Sequence, residues 1–247
     1  MASTIIPRIA SLLAAAALLV ALSCQKDRET TTPTTTDIVA LGALPLVAPA
    51  PADNPGSPAR IALGRAPFWD PVLSGGQDVS CATCHHPATG YVDALELSIG
   101  SNGQGLGASR HFRSPNNIPF VKRNAPTVLN AAFNGRAADG TCNPATAPMF
   151  WDLRAQSLET QSLQPIAALE EMRGTQCPEA AALDSAVARL RRVPAYGQLF
   201  GSEFGGAAPI TAGNIGKALA CFERTLLATD SPFDRYQRGD QTALSAQ

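Results

Sequence analysis

Two cysteines and a histidine, Cys81, Cys84 and His85, stand at a spacing that serves one specific chemistry. Thiols three positions apart lie about one helical turn from each other, so each can add across one vinyl group of a haem. The residue after the second cysteine then lies where its imidazole can become an axial ligand of the iron. The motif therefore predicts covalent attachment of haem c, with His85 as an iron ligand.

Two other chemistries use a Cys-x-x-Cys pair, and the surrounding sequence argues against both. A thioredoxin-like redox pair follows a strand in a βαβ unit, whereas a glycine-containing turn, residues 74–78, precedes this motif. A structural zinc site needs four ligands, usually from a second pair, and the later cysteines Cys142, Cys177 and Cys221 are single and scattered. Haem is therefore favoured, and the neighbouring His86 is predicted to point away from the iron.

Composition and charge exclude some classes of function. The chain has 247 residues and a formal net charge of -1, which gives no basis for binding nucleic acid or an anionic membrane surface. Its length predicts one domain, or at most two small ones. With 20 glycines, 20 prolines and 6% aromatic residues, we expect a domain with long loops around a large apolar cofactor that supplies part of the core.

The first residues have the features of an export signal. Arg8 is the only early charge, and the apolar run 9–22 is too short to span a bilayer comfortably. Small residues before Cys24 resemble a bacterial lipobox, so residues 1–23 are predicted to be a signal peptide, with a lipid on Cys24 as the only link to a membrane. An ordinary signal peptide, in which Cys24 is incidental, stays open. Both alternatives predict a periplasmic protein, where haem c is attached and disulfides form.

The rest of the chain divides into a tether and a folded domain. Residues 24–58 are predicted to be extended and mobile, because a Thr- and Pro-rich stretch cannot bury apolar area and blocks helix formation. Residues 59–247 are predicted to be an all-α domain, since no strand-period run of any length appears. Apolar periodicity, prolines and a capping residue predict helices at 61–70, 126–133, 155–169 and 179–193 and after Thr211.

Several short blocks of the mature sequence match one known pattern in the same order. They are Leu63–Pro71, Ser80–His85, Arg123–Asn130, Phe150–Asp152, Leu158–Gln161, Glu171–Met172, Phe222–Leu226, Ser231–Tyr236 and Gly239–Asp240. Together they resemble the bacterial di-haem cytochrome c peroxidase family, which includes the MauG-like enzymes. The resemblance covers most of the mature domain and implies a cytochrome c-like fold that corresponds to the family's N-terminal, peroxidatic haem domain.

The resemblance assigns roles to four further residues. A glutamate and a glutamine stand on the distal side of the family's peroxidatic haem, and by block position these are Glu171 and Gln161. A positioned carboxylate can move a proton between the two oxygens of peroxide, and an amide can hold the geometry. Trp151 resembles the tryptophan between the family's two haems, and Asn124 resembles a calcium ligand. Without the resemblance, three of them would be interpreted differently: Glu171 as a solvated charge, Trp151 as a core aromatic and Asn124 as a cap for the helix starting at Pro126.

Two features depart from the family pattern. Many members carry a histidine after Ser-Ile-Gly that ligates the resting haem, whereas Ser101 stands there. A hydroxyl is a poor iron ligand, so the resting iron is expected to be open, with ligation by His111 as the alternative. The sequence also has a single Cys-x-x-Cys-His motif, so one haem c is expected, without the second haem domain and its calcium ligands.

The resemblance implies a haem c peroxidase domain that reduces hydrogen peroxide with electrons from a small cytochrome c or cupredoxin. Two alternatives stay open. One is a non-enzymatic electron carrier with one haem, for which Met149 or Met172 would supply the sixth ligand. The other is a MauG-like oxidase that modifies a partner protein.

The remaining cysteines give a separate expectation. Cys142 and Cys177 lie in predicted loops, Cys142 in an apparent insertion relative to the family pattern, and we expect them to form a disulfide. Cys221 lies on the apolar side of the last predicted helix and is expected to stay a buried thiol.

Overall fold

The computed structural model describes residues 42–245, and the predicted signal peptide and the first part of the predicted tether lie outside this range. The α-helices of the described part are α1 Pro58–Trp69, α2 Cys81–Cys84, α3 Leu158–Gln161, α4 Gln164–Ala167, α5 Ala182–Arg191, α6 Pro194–Phe204, α7 Ala212–Glu223 and α8 Pro232–Gln237. Short 3₁₀ turns lie at Pro71–Leu73, Pro87–Thr89, Gly107–Ser109, Ala131–Phe133 and Glu179–Ala181, and a π-helical turn lies at Leu169–Arg173.

Strands are few and short in this fold. β1 (Gly103–Gln104) pairs with β2 (His111–Phe112), and β3 (Pro148–Met149) pairs with β4 (Ala155–Gln156), both antiparallel. Each pair closes a loop and adds no layer to the core. The regular secondary structure of the described residues is therefore mostly helical, in line with the prediction, although the fold is not strictly all-α.

Helices α1 and α7 pack against each other through the apolar stripe predicted for α7. Ile215, Leu219 and Phe222 of α7 are buried in one core cluster with Leu63 and Phe68 of α1. The rings of Phe68 and Phe222 meet edge to face, with centroids 5.0 Å apart, a contact worth about 0.5–1.5 kcal/mol beyond its buried area. Phe68 also lines the cavity beside the haem motif, so this pair joins the core to the site.

Gly64 permits the close approach of α1 and α7. A Cβ at this position would lie 1.8 Å from the carbonyl oxygen of Ala218, where no atom fits. We expect Gly64→Ala to lower the free energy of unfolding by about 1–3 kcal/mol or more, because overpacking shifts the backbone. Urea-induced unfolding measures the change.

The matched control for this prediction is Gly201→Ala in α6, where an added Cβ meets no heavy atom within 4 Å. There the better helix propensity of alanine should raise the free energy of unfolding by up to about 1 kcal/mol. If Gly64→Ala raised the free energy of unfolding, as Gly201→Ala is expected to, α1 and α7 would not meet as closely as described.

Two of the predicted helices differ from the structure. Over residues 126–133 only the single 3₁₀ turn Ala131–Phe133 is helical. The predicted helix 155–169 is divided into β4, α3 and α4, because Ser157 adopts a positive φ of 74° and Pro165 has no N–H to continue the helical hydrogen bonds. α6 and α8 were not predicted, although each begins with a proline in its first turn, a recognised start signal.

Residues 42–57, which the sequence analysis assigned to the tether, lie on the folded domain. Asn54 is fully buried, and its Nδ2 donates to Glu159 Oε1 at 2.8 Å and to the carbonyl oxygen of Lys217 at 3.0 Å. The Lys217 ammonium also lies 2.8 Å from the Asp53 carboxylate. Ordered contacts therefore begin before residue 59.

Candidate functional site

Helix α2 presents the predicted haem motif. Ser80 caps the helix in a capping box, in which its N–H donates to Thr83 Oγ1 at 3.0 Å. The single turn of helix brings Cys81 and Cys84 to one face, and both line the same cavity as His85. The structure thus brings together the three residues predicted to hold haem.

His85 has one ring nitrogen engaged and one available for a metal. Its Nδ1 lies 3.2 Å from the carbonyl oxygen of Tyr91, and because a carbonyl only accepts, Nδ1 must carry the proton. Nε2 then keeps its lone pair, which is the usual arrangement of a ligating histidine held by a backbone carbonyl. Burial lowers the pKa of His85, although the hydrogen bond to Tyr91, the charge of Asp93 and the backbone of Pro126 oppose this. The lowered pKa favours the neutral imidazole, which is the form that binds a metal.

Burial also makes both thiols of the motif weak acids. It raises the pKa of Cys84 to about 12, with a further contribution from the Asp93 carboxylate, and it raises the pKa of Cys81, with Glu223 as the next cause. Because a redox-active Cys-x-x-Cys pair has a lowered thiol pKa, these surroundings oppose the redox alternative. No group of three or more His, Cys, Asp or Glu side chains within residues 42–245 is placed to hold a metal ion.

The cavity beside the motif has mostly apolar walls. Its apolar lining comes from five different segments: Phe68, Val79, Val121, Ala125, Val128, Pro165 and Met172. It holds about 640 Å³ of space, its open mouth included. Buried neutral thiols and a ligand-ready imidazole against an apolar wall fit a covalently attached haem.

Glu171 and Gln161, which the family resemblance singled out, both line this cavity. Glu171 lies in the π-helical turn after α4, and Gln161 is the last residue of α3. Burial raises the pKa of Glu171, and the adjacent Glu170 carboxylate raises it further, against the charges of Arg154 and Lys122. A carboxyl group whose pKa is raised toward neutrality is suited to taking up and returning a proton.

The loop before β1 fixes the main chain of Glu171. Ser101 donates its N–H to the carbonyl oxygen of Glu170 and its Oγ to that of Glu171, both at 3.3 Å. Gly100 lies so close that a Cβ would be 2.2 Å from the Glu171 carbonyl oxygen. Arg110 holds Gly100 from the other side, through a 2.7 Å hydrogen bond to its carbonyl oxygen. Ser101, at the position for which the resemblance implies a ligating histidine in many relatives, therefore binds the turn that carries Glu171.

Three other predicted residues are not part of the cavity lining. The Trp151 side chain is 62% exposed, so its alternative role as a core aromatic is wrong; its Nε1 donates to the Asn124 carbonyl oxygen at 3.0 Å. The Asn124 amide donates to the Leu95 carbonyl oxygen at 2.6 Å. His111 is exposed, with its Nε2 2.7 Å from the Gln104 side-chain amide. The inter-haem role of Trp151 and the calcium role of Asn124 stay predictions.

The predicted disulfide between Cys142 and Cys177 is wrong, because both residues are free thiols in the structure. The Cys142 Sγ instead lies 3.8 Å from the carbonyl oxygen of Ala132, and the Cys177 loop is held by Arg173, which donates to the Cys177 carbonyl oxygen at 2.9 Å. Cys221 is a buried thiol, as expected.

Glu223 is a cavity residue that the sequence analysis did not identify. It ends α7 and belongs to the block Phe222–Leu226, for which the resemblance implies no residue roles. The signal was present in the spacing, because Ile215, Leu219 and Glu223 follow one another at intervals of four and so share one helix face. A carboxylate on the buried face of an apolar helix is a candidate site residue.

Comparison with known proteins gives consistent matches over the same region. A family model described as di-haem cytochrome c peroxidase matches residues 58–242. The methylamine utilization protein MauG of Methylorubrum extorquens is 39% identical over 198 residues, which are 80% of this chain and 46% of the relative. The cytochrome c551 peroxidase of Pseudomonas aeruginosa is 36% identical over 186 residues, 75% of this chain and 44% of the relative.

Solved structures agree with the sequence matches. The crystal structure of a MauG-like protein associated with microbial copper homeostasis has a TM-score of 0.60 and 28% identity, and the match covers 83% of this chain and 50% of that one. The chain spans about half the length of the curated relatives it matches.

Proposed function

Because the chain belongs to the di-haem cytochrome c peroxidase family, we propose that it carries haem c on Cys81 and Cys84, with His85 as an iron ligand, and reduces hydrogen peroxide to water. The observation that carries this proposal is that these three side chains share one mostly apolar cavity with Glu171 and Gln161. When bound there, the haem supplies the iron that binds peroxide and passes electrons to it.

The protein's own contribution to the reaction is proton transfer and orientation. Peroxide takes up two electrons and two protons and gives two waters, and its bond breaks readily only when the departing oxygen is protonated. The Glu171 carboxylate takes a proton from one peroxide oxygen and returns it to the other. The Gln161 amide offers both a donor and an acceptor, so it can hold peroxide beside that carboxylate.

The electron donor and the compartment are further parts of the proposal. A small cytochrome c or cupredoxin in the periplasm delivers the electrons, and the exposed Trp151 indole is available as a relay on the surface. Asn124 is proposed to contribute to a calcium site. None of the helices within residues 42–245 is long and apolar enough to cross a bilayer, and Cys24, the proposed site of a lipid, lies outside the described residues.

Covalent attachment is tested by replacing each motif thiol. Cys81→Ala and Cys84→Ala should each lose one thioether bond, with a shifted pyridine haemochrome spectrum and a weaker haem stain after denaturing electrophoresis. Cys142→Ser, which changes a partly exposed thiol outside the cavity, should stain as the unmodified protein does. Full, unshifted haem signal in both alanine variants would refute attachment at this motif.

A non-enzymatic electron carrier is the second candidate, because one methionine lies in the right place. Met172 lines the cavity, whereas Met149 belongs to a separate cluster, with its Sδ 3.5 Å from Asn134 Nδ2. A haem with His and Met ligands and a raised potential would support the carrier. A haem of low potential that binds cyanide or peroxide would support the peroxidase.

The MauG-like oxidase remains the third candidate, since one of the similar relatives carries that name. If the chain is such an oxidase, a partner protein, rather than peroxide alone, should be changed covalently during turnover. Mass spectrometry of the electron donor after turnover distinguishes it from the peroxidase.

A further inference from the structure

Glu223 has a buried carboxyl group at the cavity, and the proposed reaction gives this group no role. The residue is 6% exposed and lines the same cavity as the haem motif. Its Oε2 is fully buried and has no hydrogen-bond partner among the residues that the structure describes. A buried carboxyl oxygen without a partner is costly, so its presence in the lining of the mostly apolar cavity points to a role toward the group that this cavity binds.

The cation next to Glu223 in the chain, Arg224, makes no ion pair with it. The adjacent Arg224 turns its guanidinium to Glu159 instead, with Nη1–Oε1 and Nη2–Oε2 distances of 2.6 and 3.0 Å. Asn54 completes this arrangement with a 2.8 Å hydrogen bond to Glu159 Oε1. Because the positive charge of Arg224 is already compensated by a carboxylate, Glu223 is left without a counter-ion of its own.

An uncompensated acid in such surroundings keeps its proton to an unusually high pH. Burial raises the pKa of Glu223 to about 8, the Glu159 carboxylate acts in the same direction, and Arg224 opposes them. The other titratable groups of the cavity lining are Glu171 and the three residues of the haem motif, Cys81, Cys84 and His85. Cys81, whose thiol Glu223 affects, and Cys84 lose their acidity once they form thioethers. Glu223 therefore changes charge easily in response to its neighbours.

We propose that Glu223 is an acid of the haem site that takes up a proton when the iron is reduced and releases it when the iron is oxidised. This inference rests on the proposed haem attachment. Addition of one electron removes one positive charge from a site of low dielectric constant, and the Glu223 carboxylate compensates by binding one proton from solvent. The electron comes from the small redox protein, and the only bond formed is the carboxyl O–H.

The test is the pH dependence of the haem reduction potential in the haem-loaded full chain, measured by redox titration over two pH units on either side of the Glu223 pKa of about 8. The potential should fall as the pH rises. Each tenfold decrease in proton concentration should lower it by up to about 59 mV, the value of a tenfold change for a one-electron couple. Glu223→Gln, which keeps the shape but cannot release a proton, should flatten this dependence.

Two further variants make the comparison specific. Glu203→Gln removes a carboxylate on α6 that pairs with Arg60 at 3.5 Å and does not line the cavity, so it should keep the full slope. Glu223→Asp keeps the acid and should keep a slope. An equal slope in Glu223→Gln and the unmodified protein would overturn the proposal, since the responding group would then be another one such as Glu171.

If Glu223→Gln fails to fold, an infrared measurement on the unmodified protein still tests the proposal. The reduced-minus-oxidised difference spectrum should contain the carbonyl stretch of a newly protonated carboxylic acid, shifted in heavy water. Absence of this band, or a potential that does not vary with pH, overturns the role of Glu223 when a pyridine haemochrome assay shows that haem is attached. Absence of attached haem would refute the proposed function instead.

Discussion

Glu171→Gln should slow the cleavage of hydrogen peroxide by the haem-loaded protein by about 10²–10⁴-fold, which is the usual contribution of a positioned acid–base group. Glutamine has nearly the same shape and keeps the wall of the cavity, but it cannot take a proton from one oxygen and return it to the other. Stopped-flow mixing with peroxide, followed through the haem absorption, measures the rate. Haem content should be unchanged, because Glu171 takes no part in attachment.

The pH dependence of the same rate gives an independent check. Burial, followed by the Glu170 carboxylate, raises the pKa of Glu171 above its ordinary value. The base form is the one that accepts the proton of peroxide, so the rate should rise with pH through this raised pKa and fall below it. Glu171→Gln should lose this rise, because its side chain does not titrate.

The neighbouring Glu170→Gln is the matched control. Glu170 is buried and its Oε1 lies 3.4 Å from the Lys122 ammonium, but it does not line the cavity. Glu170→Gln removes a charge that helps to raise the pKa of Glu171, so it should shift the pH profile of peroxide cleavage to lower pH. The plateau rate should stay within about tenfold of that of the unmodified protein. Equal losses in Glu170→Gln and Glu171→Gln, or no loss in Glu171→Gln, would remove the catalytic role.

The haem motif was predictable because its chemistry depends on local spacing. One turn of helix places Cys81 and Cys84 on one face, whatever surrounds them, and His85 follows in the chain. Caps and periodicity act over similarly short distances, so the start of α7 after Thr211 was also predicted from sequence. Family blocks then added Glu171, whose approach to the cavity no local pattern could show.

Features that depend on contacts between distant segments were not predictable in the same way. The burial of Glu223 depends on the packing of α7 against α1, and its lack of a partner depends on the engagement of Arg224 by Glu159, 65 positions earlier in the chain. The exposed position of Trp151, for which a core aromatic was one alternative, has the same origin, since an aromatic side chain at the surface gives no local signal. The contacts of residues 42–57 likewise required the buried Asn54 to find partners far along the chain.

The contact between Glu159 and Arg224 leads to the largest expected effect on stability. Glu159→Gln should lower the free energy of unfolding by about 3–5 kcal/mol, the usual cost of removing one partner of a buried ion pair. The Arg224 side chain is 7% exposed, so its charge would stay buried without compensation, although the glutamine oxygen could still accept one hydrogen bond. Asp230→Asn, at an exposed ion pair with Arg238 of similar length, 3.0 Å, should cost less than about 1 kcal/mol.

Acid should narrow the difference in the free energy of unfolding between these two variants. Burial alone would raise the pKa of Glu159, but the hydrogen bonds from Arg224 and Asn54 and the charge of Arg224 outweigh it, so that the pKa is lowered overall. A carboxyl group with a lowered pKa in the folded state stabilises the protein above its unfolded pKa, and this contribution is lost as the pH falls through the folded value. Urea unfolding at neutral pH and below about pH 4 should therefore show a smaller acid-induced loss in Glu159→Gln than in the unmodified protein. Equal destabilisation by Glu159→Gln and Asp230→Asn at neutral pH would mean that this ion pair does not hold residues 42–57, α3 and α7 together beside the cavity.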